Sequence, residues 1–277
     1  MKGAVRYRES LREKMSVAGL NLNICLKKTV MPLKGLKGKT AIITGAARGI
    51  GQATTLRLAE EGANLGLIDR MELDSTMKKL KKFPVQVMSC RVDIRKYQKV
   101  KNFFNSVNRQ FGHIDILVNN AGVYERKLVP DISSKYWDKI LDNNLKSAFF
   151  CSQLAAPYMI KQGWGRIIFI SSVSPYVAGK SSLAYNVSKA GLFGMNRSLA
   201  AFLAPHNINV NTLLVGIVET EMIKIIPLPR LQNLKENSLL KRFAQPGEIA
   251  SAIAFLASEE SSFMTGAVIN VSGGLIS

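Results

Sequence analysis

The most constraining feature of the chain is an apolar run, residues 40–44, that breaks into Thr44-Gly45-Ala46-Ala47-Arg48-Gly49-Ile50-Gly51 and continues as a helix carrying Leu56, Leu58 and Ala59. A tight turn between strand and helix needs a residue without Cβ, and so does a backbone that closely approaches a phosphate. The helix that follows offers unpaired N–H groups and the positive end of its dipole to the same anion. The spacing is G-x-x-x-G-x-G, distinct from the general dinucleotide pattern G-x-G-x-x-G. Its position between a strand and a helix gives the loop its meaning.

Further short apolar runs alternate with helical stretches. Residues 40–44, 64–69, 85–93, 114–119, 166–171, 208–213 and 267–271 read as strands, most of them rich in Ile, Val and Leu without strict polar alternation. Such runs belong in a parallel sheet covered on both faces. The expected fold is α/β: a Rossmann-type, doubly wound, seven-stranded parallel sheet with helices on both faces, in one domain spanning residues 36–277. With 277 residues and 47% apolar content, the chain can fill one such core.

The second strand ends at Asp69, eighteen residues after Gly51, where a carboxylate can accept hydrogen bonds from adenosine ribose hydroxyls and would repel a 2′-phosphate. NAD(H) is therefore expected as cofactor. NADP(H) stays open, because Arg48 and Arg70 offer that phosphate a counter-charge. Farther on, Tyr185 and Lys189 stand at i and i+4, on one face of a helix. Ketone reduction needs a proton donor at the developing alkoxide, and alcohol oxidation needs a base. A phenol serves poorly at neutral pH unless a cation lowers its pKa, and Lys189 can be that cation. Ser172, thirteen residues before Tyr185, falls at the carboxyl end of a strand and can hold the substrate oxygen. Ser171 is its competitor.

Together these residues resemble the short-chain dehydrogenase/reductase family over about residues 36–277, particularly its 3-oxoacyl-[acyl-carrier-protein] reductase-like branch. The matching features occur in order: the glycine loop from Thr44 to Gly51, Asp93-Ile94, Asn119-Asn120-Ala121-Gly122, Asn144, Ser172, Tyr185-Asn186-Val187-Ser188-Lys189, and the segment from Gly216 to Thr220. The resemblance implies a catalytic set of Asn144, Ser172, Tyr185 and Lys189, and it selects Ser172 over Ser171. It implies that Lys189 also binds the nicotinamide ribose, and that Asn144 braces a water path to Lys189. Thr44, Gly45, Arg48, Gly49, Ile50 and Gly51 would form the phosphate loop, with Asp69 and Arg70 beside the adenosine ribose. Asp93 and Ile94 would border the adenine, and Asn120, Ala121 and Gly122 the ribose wall. In the segment that Gly216 opens at the cofactor, Val218 would offer backbone to the carboxamide and Thr220 would contact the same group or a phosphate. One departure is visible: the family usually places proline before Gly216, whereas this chain has Val215, which implies a less rigid loop.

Substrate recognition is expected after Thr220, where Ile223, Ile225, Ile226, Pro227, Leu228, Pro229 and Leu231 form either an apolar flap or an ordinary packed loop. The expected activity is hydride transfer between NAD(H) and a secondary alcohol or ketone. The alternative is 3-oxoacyl-[acyl-carrier-protein] reduction, toward which a net charge of +19 would attract an acidic carrier protein. Against it, the basic residues that such reductases place before the fifth strand and within the tyrosine helix are replaced here by Gly163 and Ala201. A non-catalytic nucleotide-sensing scaffold is the third reading, opposed by the presence of both Tyr185 and Lys189.

No apolar run approaches the length of about 18 residues needed to span a bilayer. The three cysteines, Cys25, Cys90 and Cys151, suit reduced thiols in the cytoplasm. His113 and His206 form no metal-ligand cluster. No nucleic-acid module accompanies the lysines at 78, 79, 81 and 82, which read as a solvated helix face. Residues 1–35 read as a basic extension outside the core, with a weak organellar presequence or an early translation start ahead of Met31 as alternatives. The resemblance implies a homotetramer, and the ending Gly273-Gly274-Leu275-Ile276 suits burial between subunits.

Overall fold

The structure, a computed structural model, describes residues 32–177 and 179–276. The expected extension, residues 1–35, lies outside them apart from its last four positions. Of those, Leu33 packs against the core, and its N–H donates to Glu61 at 2.8 Å.

Seven strands form one parallel sheet in the order β3-β2-β1-β4-β5-β6-β7. They are β1 (Thr40–Thr44), β2 (Asn64–Asp69), β3 (Val87–Arg91), β4 (Ile116–Asn119), β5 (Gly165–Ser172), β6 (Ile208–Val215) and β7 (Val268–Val271). The expected doubly wound sheet is present. β3 and β4 are shorter than the apolar pattern predicts, because that pattern continues into buried residues, Val92 and Ile114, beyond the ladder. β5 and β6 run longer, since their pairing extends to Ser172 and Val215.

The helices are α1 (Gly49–Glu60), α2 (Asp74–Leu80), α3 (Tyr97–Phe111), α4 (Ser134–Leu141), α5 (Ser147–Gln162), α6 (Ser174–Val177), α7 (Leu183–Leu203), α8 (Leu228–Asn237) and α9 (Pro246–Ala257). Successive strand residues feed opposite layers. Ala41, Ile43, Leu65, Leu67, Ile116 and Val118 meet α1 and α9, while Ile42, Ile68, Leu117, Ile167 and Phe169 meet α3, α5 and α7. Both faces are thus apolar, which explains strands without polar alternation.

The chain leaves β1 toward β2 and β3 on one side, then crosses to β4 on the other. The crevice of such a sheet lies above this reversal, at the carboxyl ends of the strands. Phe104, fully buried on α3, anchors the layer below it. Replacing Phe104 with Ala should cost about 3–5 kcal/mol of unfolding free energy in urea denaturation, the range for emptying a buried aromatic site. A loss below about 1 kcal/mol would contradict this packing.

Candidate active site

A single cleft runs over the carboxyl ends of β1, β4, β5 and β6, in two halves that share Ile50, Asn120, Gly122, Thr220 and Met222. The glycine loop builds the first half. Gly45 adopts φ +71°, and a Cβ on Gly51 would lie 2.0 Å from the Gly45 carbonyl, so the loop closes only with glycine at both places. Asn120 locks it by donating its amide to the Thr44 and Gly45 carbonyls, both at 3.0 Å. α1 then starts at Gly49 with no side-chain cap and no acidic residue in its first turn. Its leading N–H groups suit an anion, which is the fit a dinucleotide diphosphate requires.

Gly45, Arg48, Gly49, Ile50, Asp69 and Arg70 line this half, together with Asp93, Ile94, Asn120, Ala121 and Gly122. The Asp69 carboxylate is held in place by the N–H groups of Ala47 and Met71, both at 2.9 Å, and so ties the end of β2 to the glycine loop. Asp93 borders the same space, but its carboxylate is engaged by Arg95, whose hydrogen bonds hold its pKa below the usual range against the opposing effect of burial.

Thr44, Gly51 and Asn144 do not themselves line either half and support the residues that do. The Thr44 hydroxyl donates to the Val118 carbonyl at 3.3 Å and accepts from the N–H groups of Asn120 and Ala121. Asn144 sits in a π-turn, residues 142–146. It accepts from the Val123 N–H at 2.8 Å and donates to the Val123 carbonyl and the Ser188 hydroxyl, each at 3.0 Å. A Cβ added to Gly122 would come 3.4 Å from both Asn144 Oδ1 and Lys189 Nζ, which places the two close to one backbone point.

The second half holds Ser172, Tyr185 and Lys189. Tyr185 and Lys189 lie on the buried face of α7, with the Lys189 ammonium 5.9 Å from the phenol ring centre. Ser172 lies in the same half as the Tyr185 phenol and accepts from the Ser174 N–H at 3.1 Å. Ser171 instead donates to the Lys189 carbonyl at 2.9 Å, a bond that clamps α7 to β5 and leaves Ser172 as the serine facing the phenol.

The expected lowering of the phenol pKa is not what the protein groups produce. Burial pushes Tyr185 up to about 12, opposed by its bond with Ser172. Burial likewise brings Lys189 down to about 8. The ammonium donates to the Ile170 carbonyl at 2.7 Å, a neutral partner that returns only part of its lost hydration.

The segment after β6 forms the far wall. Val215 is paired within β6, and the Gly216 N–H donates to Val271 at 3.1 Å, so the segment is anchored despite the missing proline. A bridge between Val218 and Ala244 uses the Ile217 carbonyl and the Glu219 N–H, which turns Val218's own peptide groups to the opposite edge, beside the cleft. Thr220 overhangs the glycine loop, and a Cβ on Gly49 would come 3.1 Å from its methyl group. Of the apolar flap, Ile223 and Ile226 line the cleft, whereas Ile225 and Leu228 are exposed. The sequence reading missed Tyr124, Met222, Arg230 and Leu234, which also line this half. Tyr124 meets the Tyr185 ring edge-on at 4.8 Å. No local motif marks these residues, since only the folded loops bring them to Tyr185.

Comparison with known proteins agrees with this architecture. Residues 45–276 match a family model described as Enoyl-(Acyl carrier protein) reductase. The chain is 40% identical to the 3-oxoacyl-[acyl-carrier-protein] reductase FabG of Thermotoga maritima, over 87% of this chain and 99% of the relative. It is 36% identical to the Aquifex aeolicus protein of the same name, over 87% and 98%. Among solved structures it is similar to a putative short-chain alcohol dehydrogenase from Sinorhizobium meliloti, with TM-score 0.83 and 33% identity, covering 86% of this chain and 96% of that one. It is also similar to carveol dehydrogenase from Mycobacterium avium in complex with NAD, with TM-score 0.81 and 30% identity, covering 86% and 98%. The chain belongs to the short-chain dehydrogenase/reductase family and is, by that membership, a nicotinamide-dependent oxidoreductase acting on CH–OH and keto groups.

Proposed function

We propose that the chain exchanges hydride between NAD(H) and a secondary alcohol or ketone, with Tyr185 as acid and base, Ser172 holding the reacting oxygen, and Lys189 and Asn144 supporting them. The observation that carries this reading is that Ser172, Tyr185 and Lys189 line one half of the cleft together, with Tyr185 and Lys189 on the same buried helix face. The nicotinamide, when bound, supplies or accepts the hydride. Tyr185 supplies the proton in reduction, and with burial pushing its pKa to about 12 it is protonated throughout the physiological range. Gly45, Arg48, Gly49 and Ile50 would receive the diphosphate, and Gly216, Val218 and Thr220 the carboxamide.

NAD(H) is favoured because Asp69 projects a fixed carboxylate beside the adenosine end of the cleft, where a 2′-phosphate would meet like charge. The free thiols of Cys90 and Cys151 support a reducing, cytoplasmic setting. Exposed Phe149, Phe202 and Phe263 support a homotetramer. Reduction of a 3-oxoacyl group on acyl carrier protein is the second reading, supported by the names of the relatives and by the net charge of +19. Turnover of a 3-oxoacyl thioester tests it.

Tyr185→Phe should lower kcat at least about 100-fold, the contribution of a positioned acid or base, while NADH affinity in a fluorescence titration stays nearly unchanged. Retention of more than about a tenth of wild-type kcat would reject the acid/base role. Asp69→Asn removes the charge but keeps an oxygen for the Ala47 N–H. The ratio of kcat/KM for NADPH over NADH should then rise by roughly ten- to a hundredfold, and an unchanged ratio would sink the assignment.

Lys189 links activity to stability. Its folded pKa, about 8, lies below the ordinary 10.5, so between these values the unfolded chain binds more protons and stability rises with pH. Below about pH 8 the full cost of the buried charge is present, on the order of 3 kcal/mol. Lys189→Met should therefore lose activity yet unfold at higher urea concentration than wild type at pH 7, with the gap closing by about pH 10. A variant destabilised equally at both pH values would contradict the burial argument.

A further inference from the structure

We propose that Arg230 makes the substrate half of the cleft a carboxylate site, so that the compound turned over is an oxo acid or hydroxy acid, not a neutral ketone. The identity of the reacting group rests on the oxidoreductase reading above. Arg230 lies in the first turn of α8 and lines the same half of the cleft as Ser172 and Tyr185. A methyl on Gly179 would lie 3.1 Å from both Arg230 Nη2 and Ser182 Oγ, so the guanidinium and this hydroxyl face one small space. Ser182 Oγ is in turn 3.1 Å from the Tyr124 hydroxyl, whose ring packs edge-on against Tyr185. The guanidinium and the phenol thus share one half of the cleft.

The surroundings select the charge. No Asp or Glu occurs among the described residues lining this half, whereas Lys189 and Arg230 both do. Ile223, Ile226 and Leu234 line the same half, apolar side chains that lower the local dielectric and strengthen attraction between a guanidinium and an anion. A guanidinium carries five N–H donors in a planar fork, enough to keep contacts within the chain and still engage a carboxylate. A neutral substrate would offer the donors that face the cleft only neutral acceptors, whose hydrogen bonds are about half as strong as those to a carboxylate. One guanidinium with neighbouring hydroxyls balances a monoanion. A phosphomonoester, at nearly two negative charges, calls for more.

The test compares 2-, 3- and 4-oxo acids of four to eight carbons with their methyl esters, using NADH and NADPH, in wild type and Arg230→Met. Alongside, calorimetry measures binding of hexanoate, hexanamide and inorganic phosphate in the presence of NADH. We expect at least one acid to be reduced with kcat/KM about tenfold or more above its ester. In Arg230→Met the acid should fall by roughly ten- to a hundredfold through KM, with the ester within about threefold of wild type. Hexanoate should bind wild type more tightly than hexanamide or phosphate, and Arg230→Met should erase that difference. Esters reduced as well as acids, a variant that lowers both equally, or phosphate outbinding hexanoate would overturn the carboxylate site. If hexanoate binds through Arg230 while no oxo compound is reduced, the carboxylate site stands and the oxidoreductase reading of the cleft fails instead.

Discussion

The site depends on one close approach, that of the Gly51 backbone to the Gly45 carbonyl under the amide of Asn120. That contact joins the ends of β1 and β4, the neighbouring strands between which the chain reverses its direction of winding. A side chain at Gly51 would separate α1 from the strand it follows, and with it the helix N-terminus from the cleft. Thr44 and Asn120 complete the joint, and neither needs to touch a ligand to matter. Their polar atoms are spent holding loops whose backbones do the touching.

The same arrangement recurs on the other side of the cleft. Ser171 bonds the Lys189 carbonyl, Ser188 and Asn144 bond each other, and Asn144 fastens Val123. Each of these buried polar groups fixes the direction of a neighbour that lines the cleft, such as Ser172, Lys189 or Gly122. Ser172 faces Tyr185 because Ser171, one residue earlier on a strand, must face the opposite way.

Much of this was legible in the sequence, for identifiable reasons. β1 and β2 end where the apolar runs end, because the glycine loop and Asp69 punctuate them. β5 and β6 outrun the pattern because Ser172 and Val215 pair across the sheet, a relation that no local spacing encodes. The Tyr185–Lys189 pair was legible because helical spacing alone brings the two together. Arg230 was not: its place in the half of the cleft that holds Tyr185 depends on how the segment after Thr220 folds over the loop at Gly179, and a lone arginine among isoleucines and prolines reads as a solvated residue. The pKa logic also changed with the fold. Spacing suggests a cation that eases a proton from a phenol, whereas burial dominates both groups and drives them toward their neutral forms.

Charge then divides the work between the whole surface and the cleft. A net charge of +19 draws any anion toward the protein and says little about which one. Selection falls to a few fixed groups: the uncapped start of α1 for a diphosphate, and Asp69 against a further phosphate beside it. Asp93 is removed from this balance by Arg95, which occupies its carboxylate. With Asp93 engaged by Arg95 and Glu221 paired with Lys224 at 2.7 Å, Asp69 is the acid of the cofactor half held by backbone N–H groups alone, with Arg48 and Arg70 drawing the other way. On the proposed NAD(H) preference, position would count for more than the number of charges. The Asp69 carboxylate is held rigid by two backbone N–H groups and cannot swing away from an incoming phosphate, whereas long arginine side chains must give up conformational freedom to reach one.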